Sequence, residues 1–276
     1  YEHVHLNFKG TYFLAKTVFE QAQKILPPEW TKRQNANKRP ILTKAECAEY
    51  LAYTNLDRQQ IADKVLNVFI KKPPFTNQLY HKERVKQMEQ NLKALRVYLA
   101  PEALRRTAVQ YRQAIQKTPS DWRLRGKYGQ LLMKGLKDFQ AAAEQYRLMQ
   151  KFLPHSYVGN IALGAVSREL GDLDEVIAQY MEAIRIKPTC IDAHYYVAWA
   201  YQKQGRMDKA IEYYSKTLRL QPDRVSAYNN LAEILYRKGK FKEAVETYHK
   251  GLLFVPDNPI LHYNLGILLG RQGHRR

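Results

Sequence analysis

A spacing of 34 residues constrains the second half of the chain more than any other feature. Prolines mark it at Pro119, Pro154, Pro188, Pro222 and Pro256, with a first interval of 35 residues and three of 34. Three further sets keep the same interval: tyrosines (Tyr111, Tyr146, Tyr180, Tyr214, Tyr248), small residues (Gly129, Gly164, Ala198, Ala232, Gly266) and glycines (Gly171, Gly205, Gly239, Gly273). Four residue classes that share one period indicate a chain built from repeated structural units.

Each unit predicts two amphipathic helices. In the segment 191–224, apolar residues recur every three or four positions on both sides of the central glycine. We expect that glycine to end the first helix in a left-handed conformation. The small residue lets the two helices approach closely, and proline stops the second helix. One unit cannot bury its own apolar face, so neighbouring units are expected to stack.

The units resemble the tetratricopeptide repeat (TPR) family, whose pattern runs aromatic, Leu-Gly, Tyr, Ala, aromatic, Pro. The unit 225–258 matches it with Tyr228, Leu231, Ala232, Leu235, Ala244, Tyr248 and Pro256. The resemblance implies an all-α fold, a TPR superhelical solenoid of helix-turn-helix repeats preceded by irregular helices. Units are expected at 82–121, 122–156, 157–190, 191–224 and 225–258, with a partial unit at 259–276.

The resemblance also implies that the first helix of each unit lines a concave groove. Its expected contact residues are Tyr195, Tyr196, Trp199, Lys203, Asn229, Asn230, Glu233, Tyr236, Arg237, Tyr263, Asn264 and Arg271. Aromatic residues and Arg often anchor protein interfaces, and Asn can hydrogen-bond an extended peptide backbone. We therefore expect a protein–protein interaction scaffold that binds a peptide or protein in this groove. Trp199 is the strongest indication of a binding surface, because an exposed Trp is unusual in a protein that has no partner there.

The net charge of +19 favours an acidic partner. Two alternatives stay open: the same side chains could serve packing or self-association through the solenoid ends, or they could bind RNA by stacking and phosphate contacts. Nucleic acid is the less favoured partner, since the cations are spread along the chain. Tyr195, Trp199 and Ile260 stand where the family's carboxylate-clamp pattern needs Lys, Asn and Lys. Binding of acidic chaperone tails is therefore not expected.

The first residues raise a different alternative. Glu2, His5, Gly10 and Ala15 resemble the closing block of SGNH (GDSL-like) hydrolases, although Glu replaces the typical Asp and Leu6 the usual Pro. The resemblance implies that residues 1–26 are the remnant of an upstream domain, with the repeats as the arm of a larger hydrolase or acyltransferase. Its Ser nucleophile would lie before Tyr1, so no enzyme activity is expected of this chain alone. The other interpretation makes His3 and His5 a polar lead into a helix.

Residues 27–81 predict a helical linker region without a metal or phosphate motif, so neither a metal nor another cofactor is expected. Asp57 is placed to cap a helix that begins there. The two cysteines, Cys47 and Cys190, support no disulfide framework and are expected to fill core positions. No membrane span or export signal is visible. The chain begins with Tyr, so it looks cut from a longer protein; its compartment stays open, with a soluble cytoplasmic protein as the default.

Overall fold

The computed structural model describes residues 54–71 and 81–273, together with Thr17 and Cys47. Every regular element within these ranges is a helix, and the all-α prediction is confirmed. The chain divides into two compact units, Tyr1–Pro119 and Ser120–Arg276. The expected hydrolase remnant lies outside the described residues, apart from Thr17, and stays a prediction.

Within residues 54–71 and 81–119, the described part of the first unit contains three helices. α1 spans Asn55–Lys64 and continues as a π-helical turn over Val65–Ile70. α2 spans His81–Leu95 and tightens into a 3-10 turn at Arg96–Leu99, and α3 spans Pro101–Lys117. α1 packs against α2 and against the 3-10 turn, which also contacts α3.

α1 begins two residues before the position that the sequence predicts. Thr54 is its N-cap: the Thr54 hydroxyl accepts a hydrogen bond from the Asp57 backbone N–H, and the Asp57 carboxylate accepts one from the Thr54 backbone N–H at 2.8 Å. The prediction that Asp57 caps the helix is therefore wrong, because Asp57 occupies the third helical position and completes a capping box. Its Oδ2 also accepts a hydrogen bond from the Tyr111 hydroxyl of α3 at 3.2 Å.

The second unit is a succession of paired helices. They are α4 (Trp122–Gln130, extended by a π-helical turn over Leu131–Leu136), α5 (Phe139–Phe152), α6 (Tyr157–Leu170), α7 (Leu173–Ile186), α8 (Ile191–Lys203), α9 (Met207–Leu220), α10 (Val225–Arg237), α11 (Phe241–Phe254) and α12 (Pro259–Gly273). Each helix packs against its neighbours in sequence, and α10 also contacts α12 directly. This is the helix-turn-helix solenoid that the repeat pattern predicts.

The turn inside each pair uses a left-handed residue, as the sequence predicts. Gly171, Gly205 and Gly239 have φ values of 78°, 74° and 76°. Lys137 holds the equivalent position after α4, with φ 58°. The unit 122–156 is one residue longer than each of the three complete units that follow it, and its first helix absorbs the difference in the π-helical turn. A side chain at left-handed φ is strained, whereas glycine is not.

Gly129 and Gly164 lie beneath the tyrosines of their second helices, Tyr146 and Tyr180. An alanine Cβ at Gly129 would come within 2.7 Å of the Tyr146 ring. The tyrosines fill the space between the two helices, and Tyr180 and Tyr214 are almost completely buried. These two glycines therefore allow the close approach of their tyrosines.

The core of the second unit runs without interruption from α7 to α12. Cys190 is buried in it, but Cys47 is only half-buried, so the prediction of two core cysteines holds for one of them. No helix among the described residues is both long enough and apolar enough to cross a bilayer.

Candidate functional site

The aromatic residues predicted to bind a partner from α8 pack within the repeat stack. Tyr196 stacks on Tyr180 with ring centroids 5.2 Å apart, and Tyr195 meets the edges of Tyr196 and Tyr214. The Arg168 guanidinium lies 4.4 Å above the Tyr196 ring. This surface is consequently filled, with only part of each ring facing solvent.

Trp199 is half-buried and packs against the same core. The Lys203 ammonium, which is exposed, lies 5.9 Å from its ring. The expectation that Trp199 is exposed is therefore wrong, because the neighbouring helices cover part of the indole. Its role as a partner contact stays a prediction.

Asn230 joins adjacent repeats. Its side-chain N–H groups donate to the Tyr195 hydroxyl at 3.2 Å and to the Tyr214 hydroxyl at 2.9 Å. Tyr214 in turn donates to the Gln202 carbonyl oxygen at 2.8 Å. Both amide hydrogens of Asn230 are used inside the protein, so this residue offers a partner only its carbonyl oxygen.

Five of the predicted contact residues surround one cleft of about 240 Å³ between α10 and α12, with α11 behind it. Those five are Asn229, Glu233, Tyr236, Asn264 and Arg271. The remaining lining residues are Ala232, Tyr248, Ile267 and Leu268. These four were missed by sequence reasoning, although Tyr248 and Ala232 keep the 34-residue period and Ile267 occupies the same helical position as Glu233. We call this surface the α10–α12 cleft.

A hydrogen-bonded pair of amides forms one side of the α10–α12 cleft. The Asn229 carbonyl oxygen accepts from the Tyr248 hydroxyl at 3.2 Å and from the Asn264 side-chain N–H. Burial raises the pKa of Tyr248, and the Glu233 carboxylate raises it further, so this hydroxyl stays protonated and donates. Within the described part of the chain, the N–H₂ group of Asn229 and the carbonyl oxygen of Asn264 make no further hydrogen bond.

Charge in the α10–α12 cleft is partly balanced. Arg237 is exposed and forms an ion pair with Glu233 one turn earlier. The Arg271 guanidinium lies 5.8 Å from the centroid of the Tyr236 ring and carries a charge that no described carboxylate pairs with. A single uncompensated cation therefore stands beside a half-buried aromatic ring.

One predicted contact residue lies apart from this cleft. Tyr263 is 69% exposed on α12 and does not line it. Glu2 and His5 lie outside the described residues, so the catalytic interpretation remains a prediction. Across residues 54–71 and 81–273, no set of three or more His, Cys, Asp or Glu side chains is arranged to hold a metal ion.

Two protein-family models match the repeats of the second unit. A model described as TPR repeat matches residues 164–205 and 232–273, and one described as tetratricopeptide repeat matches residues 189–252. Residues 164–273 are tetratricopeptide repeats. The TPR resemblance inferred from the spacing is thereby confirmed. No curated protein matches the chain in sequence.

Solved TPR structures share the fold. MamA from Desulfovibrio magneticus RS-1 is 18% identical with a TM-score of 0.52, over 63% of this chain and 96% of that one. PilW, described as a widely conserved type IV pilus biogenesis factor, is 21% identical with a TM-score of 0.51, over 68% and 87%. YrrB, described as a TPR protein with an unusual peptide-binding site, is 14% identical with a TM-score of 0.50, over 66% and 96%. At these identities the likeness is one of fold alone.

Proposed function

We propose that the chain is a protein-interaction scaffold whose second unit binds an extended peptide segment of a partner in the α10–α12 cleft. The observation that carries the proposal is the amide pair of Asn229 and Asn264. Within the described residues it leaves the N–H₂ group of Asn229 as a donor and the carbonyl oxygen of Asn264 as an acceptor, the two kinds of group that can bond the C=O and the N–H of a peptide backbone.

The rest of the α10–α12 cleft suits side chains of such a segment. Ile267 and Leu268 offer an apolar wall, and Tyr236 a half-buried ring of the kind that anchors protein interfaces. Arg271 favours a carboxylate nearby, as the net charge of +19 also does. The preferred peptide therefore carries an apolar side chain close to an acidic one.

The TPR fold and the comparison with YrrB support this proposal at the level of fold. YrrB is described as having a peptide-binding site, and the two chains share the solenoid architecture. An identity of 14% transfers no individual residue, so the choice of cleft rests on the side chains of this chain.

Selection from a random peptide display library with the full chain, followed by calorimetric titration of the selected peptide, tests the proposal. We expect Tyr236→Ala to weaken binding by about tenfold or more, the loss typical of an interface anchor. Arg271→Gln should weaken the binding of peptides that carry a carboxylate and leave the affinity for their amide analogues unchanged.

Arg185→Gln is the matched control, because Arg185 is exposed on α7 and pairs with Glu182 away from the cleft. Equal affinity of native protein and Tyr236→Ala would overturn the proposal. Displacement of the peptide by polyuridylate, with a steep dependence on salt, would favour the RNA interpretation instead.

A further inference from the structure

One exposed position of the repeat changes its chemistry in the unit 225–258. Lys151, Arg185 and Arg219 lie 34 residues apart near the ends of α5, α7 and α9, and all three are exposed. The same interval leads to Leu253 near the end of α11, which is 81% exposed. The core gains little from a leucine that solvent surrounds. Packing inside the repeats therefore does not explain the loss of the cation.

Leu253 belongs to an apolar patch at the turn between α11 and α12. Phe254 is 55% exposed, and Ile260, in the first turn of α12, is 54% exposed. The positions equivalent to Ile260 in the two preceding units hold Asp192 and Ser226, which are polar and exposed. Clustered exposed apolar side chains mark interaction sites, whereas scattered ones do not. We call Leu253, Phe254 and Ile260 the α11–α12 turn patch.

The exposure of this patch is a property of its place in the repeat. Arg185, Arg219 and Ser226 are exposed at the equivalent positions, although further helices pack after them. Stacking of another repeat would therefore leave the patch uncovered. It differs in this respect from the side of α12 at Gly266, where nothing lies within 4 Å of a built Cβ. The patch is thus open to a second molecule.

The surface at the α11–α12 turn has both a projection and a recess. A depression of about 400 Å³ borders Leu253, and its other lining residues are Glu246, His249, Lys250 and Leu252. Phe254 does not line the depression and leaves more than half of its surface to solvent. Two copies related by a two-fold axis each present both features. The Phe254 ring of one copy can therefore enter the depression of the other.

The charges around the patch suit a contact between two identical surfaces. A two-fold contact brings each surface close to its own copy, so a cation at position 253 would meet like charge. On a chain of net charge +19, Leu253 removes that repulsion. An acidic partner would instead gain from the cation that the preceding units keep. The exposed residues nearby carry both signs, Lys250 with Glu246 and Asp257, as a self-complementary rim requires.

We propose that two copies of this chain associate through the α11–α12 turn patch, with Leu253 and Phe254 at the centre of a two-fold contact. The patch forms the apolar core of the interface, and the charged residues around it form the polar rim. Three apolar side chains supply less than the roughly 800 Å² that each partner buries in a standard interface. We therefore expect a weak dimer with a Kd on the order of micromolar. This surface is separate from the α10–α12 cleft and does not depend on the function proposed for it.

Sedimentation equilibrium of the full chain between about 1 and 200 μM measures the association. We expect a dimer whose fraction rises with concentration. It should persist in about 1 M NaCl, where the Debye length is about 3 Å and attraction between charges is screened. A chain that stays monomeric throughout would overturn the proposal and leave the patch to a different protein. Dissociation by salt would also overturn it, because an apolar contact does not weaken in salt.

Leu253→Arg restores the cation of the preceding units. Because position 253 is exposed, the circular dichroism should remain that of the native chain. We expect this variant to weaken the dimer by about a hundredfold or more, since it places two guanidinium groups in one contact. Phe254→Ala should weaken it by about tenfold or more, the loss typical of an aromatic anchor.

Two controls add the same charge elsewhere. Leu170 at the end of α6 is 45% exposed and lies outside the patch, so Leu170→Arg matches the change in charge. Leu269 on α12 is also 45% exposed, and Leu269→Arg tests the side of that helix near Gly266. Both should dimerise as the native chain does. Unchanged dimerisation of Leu253→Arg and Phe254→Ala, or loss of the dimer in either control, would contradict a contact at the α11–α12 turn patch.

Discussion

Gly164 lies directly against the ring of Tyr180: a Cβ built on Gly164 would stand 2.7 Å from the Tyr180 Cε2 atom. The ring is 1% exposed and cannot move aside without disturbing α6 and α7. At Gly266, the equivalent position of α12, nothing lies within 4 Å of the built Cβ. The same residue type therefore has a packing role at one position of the repeat and none at the other.

Gly164→Ala is expected to lower the free energy of unfolding by about 1–3 kcal/mol, because the added methyl overpacks the Tyr180 ring. Gly266→Ala is expected to raise it by about 0.5–1 kcal/mol, since alanine is the better helix former and meets no obstacle. Urea unfolding followed by circular dichroism measures both. Equal effects at the two positions would contradict the packing role of Gly164.

Lys137 occupies the left-handed position that glycine holds in three later repeats. Lys137→Gly should stabilise the second unit by about 1 kcal/mol, because it removes the steric cost of a side chain at φ 58°. Gly205→Ala makes the opposite change at φ 74° and should destabilise by a similar amount. Thermal unfolding of the two variants should move in opposite directions from the native transition.

Among the predicted contact residues, Trp199 is partly buried by packing whereas Tyr263 is largely exposed, so their substitutions should affect stability differently. Trp199→Ala should lower the free energy of unfolding by about 2 kcal/mol or more, because part of the indole is buried against the core. Tyr263→Ala should change it by less than about 0.5 kcal/mol, as expected for a side chain that is 69% exposed. Chemical denaturation measures both changes. If Trp199→Ala leaves the free energy of unfolding unchanged, the indole does not stabilise the core, and its interpretation as an exposed contact for a partner is favoured instead.

Buried tyrosines make the repeat stack sensitive to alkali. Burial raises the pKa of Tyr146 to about 12, and it also raises the pKa of Tyr180 and Tyr214 above the usual value of 10.0. The unfolded chain therefore releases these protons before the folded chain does. Stability from these groups is complete below about pH 10 and is lost as pH rises toward the folded-state values.

Urea titrations between pH 8 and 12, with tyrosinate absorbance recorded in parallel, measure this effect. The Tyr180→Phe variant is the control and should show a smaller loss of stability over the same interval. Ionisation of all tyrosines near pH 10 without unfolding would contradict the burial of these rings.

The helical repeat was predictable because its determinants are local. A glycine at left-handed φ, a small residue under a tyrosine and a proline after each second helix each mark their position within a few residues. Gly171, Gly205 and Gly239 all have the backbone conformation that their spacing predicts. Lys137 has the same backbone conformation without a glycine, so the glycine pattern does not mark that position.

The groove was only partly predictable, because exposure depends on neighbours far apart in sequence. Asn229 and Asn230 are adjacent in the sequence. The side-chain N–H₂ group of Asn230 donates to the hydroxyls of Tyr195 and Tyr214, whereas Asn229 accepts a hydrogen bond through its carbonyl oxygen and its N–H₂ group makes none within the described residues. Trp199 is half-covered by packing that its helical position does not reveal.

Photo-cross-linking from the α10–α12 cleft tests its peptide-binding role most directly. Ile267 lines the cleft and is 36% exposed, while Leu220 of α9 is 37% exposed and does not line it. A benzoylphenylalanine placed at either position, in the full chain, meets the same solvent exposure but a different surface. We expect the selected peptide to cross-link from position 267 and not from position 220. Cross-linking from position 220 alone, or equally from both, would contradict a peptide site between α10 and α12.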